Sequence, residues 1–216
     1  MAPVFGALLS MASPVAARPQ IERPAALSFD ILRNDAVIGR HTLRFTEDGD
    51  RLIVEIVIRI KVTFASIPVY RYEHDSREVW SDGQLVGLET RTNDDGEAFH
   101  VSARREADHL LVDGSSGRLE LPADVMPTSY WNQAMLKASR FLDTQRGKLC
   151  DLQIGPPQPE TVEVDGLPQP TSRQAVSGDL AMELWYLPNG EWAKLVFAAK
   201  GTPIVYVRRK PDPAGP

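Results

Sequence analysis

Between Leu52 and Phe64 every even position is apolar: Leu52, Val54, Ile56, Ile58, Ile60, Val62 and Phe64. Glu55, Arg59, Lys61 and Thr63 mark the other parity. Side chains of a strand alternate between the two faces of a sheet, so a period of two over this length demands a β-strand with one buried face. A strand this long must curve or bend, which already turns the chain away from helical folds. The next run, from Ile67 to Trp80, sets Tyr70, Tyr72, His74, Ser76, Glu78 and Trp80 against Val69, Arg71, Glu73, Asp75, Arg77 and Val79. The turn Phe64 to Pro68 joins the two runs as a hairpin, with Pro68 confined to a strand start or an edge.

Turn residues then recur at short intervals, as Asn34-Asp35, Asp48-Gly49-Asp50, Asp82-Gly83, Asp94-Asp95-Gly96, Asp113-Gly114, Asp165-Gly166 and Asn189-Gly190. Asn, Asp and Gly tolerate the positive backbone angles that tight hairpins require. Strand candidates fill the gaps, and the predicted fold is mainly β: a curved antiparallel meander, half-barrel or barrel-like, of about a dozen strands. One segment breaks the alternation. Pro127-Thr128-Ser129 reads as a cap, and Trp131, Met135, Ala138 and Leu142 recur at helical spacing, predicting one central amphipathic helix that covers or plugs the sheet.

The chain has 216 residues, enough for a single core. A net charge of -5, from 24 basic and 29 acidic residues, argues against nucleic acid as a partner. Cys150 is the only cysteine, which excludes an intrachain disulfide and a cysteine-built metal site. Met1 to Ala17 contains no charge and runs from an apolar stretch into Ser13-Pro14-Val15-Ala16-Ala17. Small residues at Val15 and Ala17 fit signal-peptidase cleavage near Ala17, which predicts export to the periplasm, although the usual basic residues before the apolar run are missing. No stretch has the roughly 20 apolar residues of a membrane span, so no transmembrane segment is expected. The expected organisation is a signal peptide at 1–17, an extension at 18–26, one β-rich domain at 27–209 and a disordered tail at 210–216.

Three constellations could carry function. The face Tyr70, Tyr72, His74, Glu78 and Trp80 either lines a pocket or forms a solvated outer face; if one face of this strand is inside, it is this one. His41 shares parity with Val37, Leu43 and Phe45 and could point inward, yet no pair of histidines has ligand spacing, so no metal is expected. Ser129-Tyr130-Trp131-Asn132 could offer N–H groups, with Tyr130 and Asn132 donating alongside, to an anionic head group, or merely cap and anchor the predicted helix. No serine-nucleophile elbow, Walker motif or dinucleotide glycine pattern occurs, so neither catalytic residues nor a cofactor are expected.

With Phe29-Asp30-Ile31, Ile38-Gly39, Tyr70-Arg71-Tyr72-Glu73-His74, Glu78-Val79-Trp80, Pro127 to Asn132 and Leu142 to Gly147, the chain resembles a proteobacterial family of exported proteins known only as a domain of unknown function. The resemblance implies a periplasmic β-rich fold, broadly similar to the half-barrels of lipoprotein carriers, and no established activity. The function expected is a periplasmic binding or carrier protein for a lipid, an acyl chain or an apolar peptide segment. Tyr70, Tyr72, His74, Glu78, Trp80, Tyr130, Trp131 and Asn132 are the expected ligand-binding residues. The alternatives are a solid-core assembly module with a periplasmic protein partner, and an acid-base enzyme using His74 with Glu78, or His41.

Overall fold

The computed structural model describes residues 24–211. The expected signal peptide and most of the 18–26 extension lie outside the described residues, as does the tail from 212 onward. The first half of the chain is an uninterrupted meander. Its strands are β1 (Ala26–Arg33), β2 (Ala36–Asp48), β3 (Arg51–Phe64), β4 (Ile67–Ser81), β5 (Gln84–Asp94), β6 (Glu97–Glu106), β7 (His109–Gly114) and β8 (Gly117–Pro122), each pairing antiparallel with the next. Several turns have both central residues at positive φ, among them Asn34-Asp35, Asp82-Gly83 and Asp95-Gly96. That geometry matches the twist of the flanking strands.

Short pieces β9 (Met126–Pro127), β10 (Phe141–Leu142) and β11 (Leu149–Cys150) form a separate three-stranded sheet. The chain then returns through β12 (Leu152–Ile154), β13 (Gln158–Val164), β14 (Leu167–Gly178), β15 (Met182–Tyr186), β16 (Trp192–Ala199) and β17 (Thr202–Arg209). β17 pairs with β1, so both halves join one 14-stranded sheet running from β12 and β14 through β17, β1 and β2 to β8. Laid flat, such a sheet would separate its edges by roughly 55 Å. Yet Leu110, Val112 and Leu121 from one end share a continuous buried cluster with Leu152, Val176 and Leu184 from the other. The sheet is therefore curled around one core, as the alternation predicts, with more strands than the expected dozen.

The predicted central helix is absent. Tyr130 sits at φ 65, outside the helical region, and only a single 3-10 turn forms at Gln133–Lys137 before Ala138 returns to extended backbone. Groups that would close an α-helix are bonded elsewhere: the Tyr130 carbonyl accepts from the Tyr186 hydroxyl at 2.7 Å, and the Asn132 side chain accepts from Ala134 N at 3.0 Å. Short isolated helices are marginal. Here the flanks are drawn instead into the parallel pairing of β9 with β10, and Trp131, Met135 and Leu142 are each buried against separate parts of the core. The segment still crosses the interior, as an extended strap. No helix among the described residues is long and apolar enough to cross a membrane.

Where the strap leaves the core it meets β7 at two glycines. A Cβ on Gly114 would lie 2.9 Å from both the Arg146 carbonyl oxygen and the Gly147 Cα. Gly114→Ala is expected to lower stability by about 1–3 kcal/mol through this overpacking. Chemical denaturation checks it: a loss under about 0.5 kcal/mol, the range of an ordinary surface substitution, would mean the strap simply shifts aside.

Candidate functional site

Antiparallel register turns the alternation into rows of side chains across the inner face. His41, Ile58, His74 and Thr92 lie opposite one another on β2 to β5; the next row toward the other end holds Leu43, Ile56, Ser76 and Thr90. Beyond it come Phe45, Val54, Glu78 and Leu88. His41, His74, Ser76, Glu78, Thr90 and Thr92 are all buried, so a polar stripe runs across the inner face of β2 to β5.

That stripe borders a cavity of ≈490 Å³. Ile56, Ile58 and Ile60 from β3 and Met182, Leu195 and Phe197 from β15 and β16 supply its apolar surface. Thr128, Ser129 and Tyr130 of the strap line it too, as does Tyr206 of β17. At one side Asp94 accepts from the Tyr70 hydroxyl at 2.9 Å and from Gln145 Nε2 at 3.3 Å, while Gln145 Oε1 accepts from the Tyr72 hydroxyl at 3.3 Å. This network fixes the two tyrosines. Burial raises both phenol pKa values, which keeps the hydroxyls protonated as donors.

The histidines are neutral for the same reason. Burial lowers His41 to about 3, with His74 adding to the effect. His74 is lowered to about 4 by burial, with Asp75 opposing the shift and Arg59 reinforcing it. His74 Nδ1 and Thr92 Oγ1 are 2.8 Å apart and share a hydrogen bond. His41 differs: its ring stands edge-on to Trp192 and Tyr206, with centroids 5.2 and 5.7 Å away, and neither nitrogen has a hydrogen-bond partner among the described residues. Ser76 Oγ has none either. Buried polar groups are nearly always satisfied, so these two residues on one cavity wall depart from the usual pattern.

Glu78 lies deeper and serves a different end. Its Oε2 accepts from Trp80 Nε1 and Trp131 Nε1, each at 2.8 Å, and the two indoles meet edge to face at 5.4 Å. Burial raises the Glu78 pKa, with Trp131, Ser129 and Trp80 opposing the rise through their hydrogen bonds. The carboxyl thus ties the strap to β4.

Of the residues singled out from the sequence, Tyr70, Tyr72, His74 and Tyr130 line the cavity. Glu78, Trp80 and Trp131 form the buried tie instead, and Asn132 caps the 3-10 turn and borders a separate hollow of ≈290 Å³ with Trp80 and Trp131. His74 and Glu78 stand four residues apart on one strand, about 13 Å of rise, so they are not brought together as an acid-base pair. Sequence reasoning did not select Ser76, Asp94, Gln145, Phe197 or Tyr206 as site residues. Parity alone could have found Ser76; the others arrive through long-range pairing. Among the described residues no cluster of three His, Cys, Asp or Glu side chains could hold a metal ion.

A curled antiparallel sheet with a strap across its interior and a part-polar cavity between them defines a β-barrel-like protein. The chain belongs to the family described as Domain of unknown function (DUF6134), whose model matches residues 29–209. Among solved structures it is similar to a β-barrel-like protein of domain of unknown function DUF1849 from Brucella abortus, at 11% identity and a TM-score of 0.60, covering 86% of this chain and 95% of that one. At that identity the likeness concerns the fold. No curated protein matches the chain.

Proposed function

We propose that this protein is an exported carrier that holds a hydrophobic ligand, such as a lipid or acyl chain, inside the curled sheet. The observation that carries the reading is the ≈490 Å³ cavity, whose apolar wall of Ile56, Ile58 and Ile60 stands beside the unpartnered polar atoms of His41 and Ser76. Its volume falls within the range of small-molecule sites, and its mixture of broad apolar surface with few polar groups is what such sites use for affinity and orientation. A neutral imidazole offers one donor and one acceptor, so it suits an uncharged head such as an alcohol, an amide or a protonated acid better than a bare carboxylate. The periplasm is the proposed compartment, with residues 1–17 as the export signal.

Protein processed to begin at Arg18 and recovered from the periplasmic fraction of an exporting host is the material for the test. Titration with 1-dodecanol, followed by native mass spectrometry, is expected to give a saturable one-to-one complex. Ile58→Trp, which fills the cavity from its apolar wall, is expected to weaken that complex at least roughly tenfold, given that an excluded chain forfeits more than 1.4 kcal/mol of burial. Equal binding by Ile58→Trp and the parent would place the alcohol elsewhere and sink the reading.

A further inference from the structure

Strands β3 and β4 outrun their neighbours. β2 pairs with β3 only as far as Ile60, and β5 pairs with β4 only from Tyr72, so residues 61–71 pair in the sheet only with one another. The result is a two-stranded ribbon projecting beyond the sheet. At its end Phe64, Ile67 and Val69 are 77%, 65% and 53% exposed. Val37, 62% exposed, lies beside its base. These four are most of the large apolar side chains exposed among the described residues, and the concentration of three of them on one projection, with the fourth beside its base, marks an interaction site.

Cations stand directly behind the tip. Register sets Arg40 opposite Arg59 and Lys61 opposite Arg71, and all four line one surface groove with Glu73. Like charges facing each other across a sheet are destabilising, so such stacked pairs need an anionic complement. Asp30, Asp75 and Glu73 lie 3.6, 2.6 and 3.8 Å from Arg40, Arg59 and Arg71 respectively. Exposed ion pairs of this kind are weak, and Arg59 also donates to the Ile58 and His74 carbonyls at 2.8 and 3.1 Å, so what the groove offers a second anion is chiefly the charge of its four cations. From Ile60 to Tyr72 the ribbon carries Lys61 and Arg71 and no carboxylate, in a chain whose net charge is -5.

We propose that the β3–β4 ribbon docks the protein on an anionic phospholipid surface, with Phe64, Ile67 and Val69 entering the boundary below the headgroups and the Arg40, Arg59, Lys61 and Arg71 groove taking lipid phosphates. The spacing fits. Three residues of strand separate Lys61 from Phe64, about 10 Å of rise, and interfacial elements bury their apolar side chains about 5–10 Å deep. Charge favours this occupant over a second copy, because apposed tips would bring Lys61 and Arg71 of each copy together. A partner strand added to the β4 edge would meet Pro68, which has no backbone N–H to donate. Contact at the ribbon would also set Tyr70, Tyr72 and Ile60, which line the cavity, nearest the bilayer.

The test is flotation of the full chain with vesicles of phosphatidylglycerol and phosphatidylcholine in equal parts, against phosphatidylcholine alone. Binding is expected to the mixed vesicles only and to fall with added salt. Phe64→Ser/Ile67→Ser and Lys61→Glu/Arg71→Glu are each expected to weaken it by about tenfold or more, since each pair removes burial or attraction worth at least 1.4 kcal/mol. Lys61, Phe64, Ile67 and Arg71 lie outside the buried core, so unchanged thermal unfolding separates these effects from misfolding. No binding by the parent, or equal binding by parent and variants, overturns the proposal. Vesicle-independent dimerisation of the parent, lost in Phe64→Ser/Ile67→Ser, overturns it in favour of a second copy. The dodecanol complex is read separately and does not decide this outcome.

Discussion

Glu78→Ala is expected to destabilise the protein by roughly 4 kcal/mol, because it strips the common acceptor from two buried indole N–H groups, each costing about 1–3 kcal/mol when left unpartnered. The consequence extends beyond β4. Trp131 belongs to the strap, so the same change frees the strap from the sheet and should broaden or split the unfolding transition. Glu78→Gln retains an amide oxygen for the indoles and is expected to keep most of the stability. The pH dependence separates the two further. Because the folded pKa of Glu78 is raised, its contribution is complete below the ordinary carboxyl pKa and is lost as pH rises through the folded value. The stability difference between parent and Glu78→Gln should therefore shift against the parent as pH rises from the ordinary carboxyl value toward the raised one, and level off beyond it. Thermal melts of parent and both variants across pH decide it; an alanine variant as stable as the parent would show that the tie bears no weight.

Acid is the second large effect. His41 and His74 are depressed from 6.5 to about 3 and about 4, so between those limits the unfolded chain binds protons that the folded one refuses. The sign follows directly: their contribution is present above pH 6.5 and is lost as pH falls. Two such groups give a slope approaching about 2.7 kcal/mol per pH unit, twice the 1.36 of a single site. Over the window to pH 4 this loss is a large fraction of the stability of a typical domain, opposed in part by Glu78, whose contribution grows as pH falls, so stability is expected to drop steeply toward pH 4. His41→Phe keeps a ring among Phe29, Trp192 and Tyr206 and should halve the slope. Urea titrations at half-unit pH steps measure it. An unchanged slope in His41→Phe would mean that His41 titrates normally in the folded protein.

The inward face of β3 and β4 was legible because parity is a local property. Alternate side chains point to opposite faces whatever else the chain does, so Ile56, Ile58 and Ile60 had to share a side, as did Tyr72, His74 and Ser76. The hairpins were legible for a related reason, since Asn-Asp and Asp-Gly pairs favour positive φ before any tertiary contact forms. The helix misreading came from the same kind of evidence applied where it did not suffice. Trp131, Met135, Ala138 and Leu142 fall at helical spacing, but a segment that short takes its conformation from its contacts. Tyr186, Glu78 and β9 supplied contacts that favour an extended strap.

The site divides along the same line. Which residues of a strand share a face was legible in the sequence, as were the turns and the β-rich class, while for β4 the sequence left open whether that face was a pocket wall or a solvated outer surface. Which residues meet there was settled only by the closure of β17 onto β1, which brings Trp192 and Tyr206 against His41, and by the strap, which carries Trp131 across 53 residues to Glu78. Alternation fixes the direction of a side chain through backbone geometry repeated at every residue. The choice of partner depends on non-local packing and desolvation, which have no signature in any single stretch of chain.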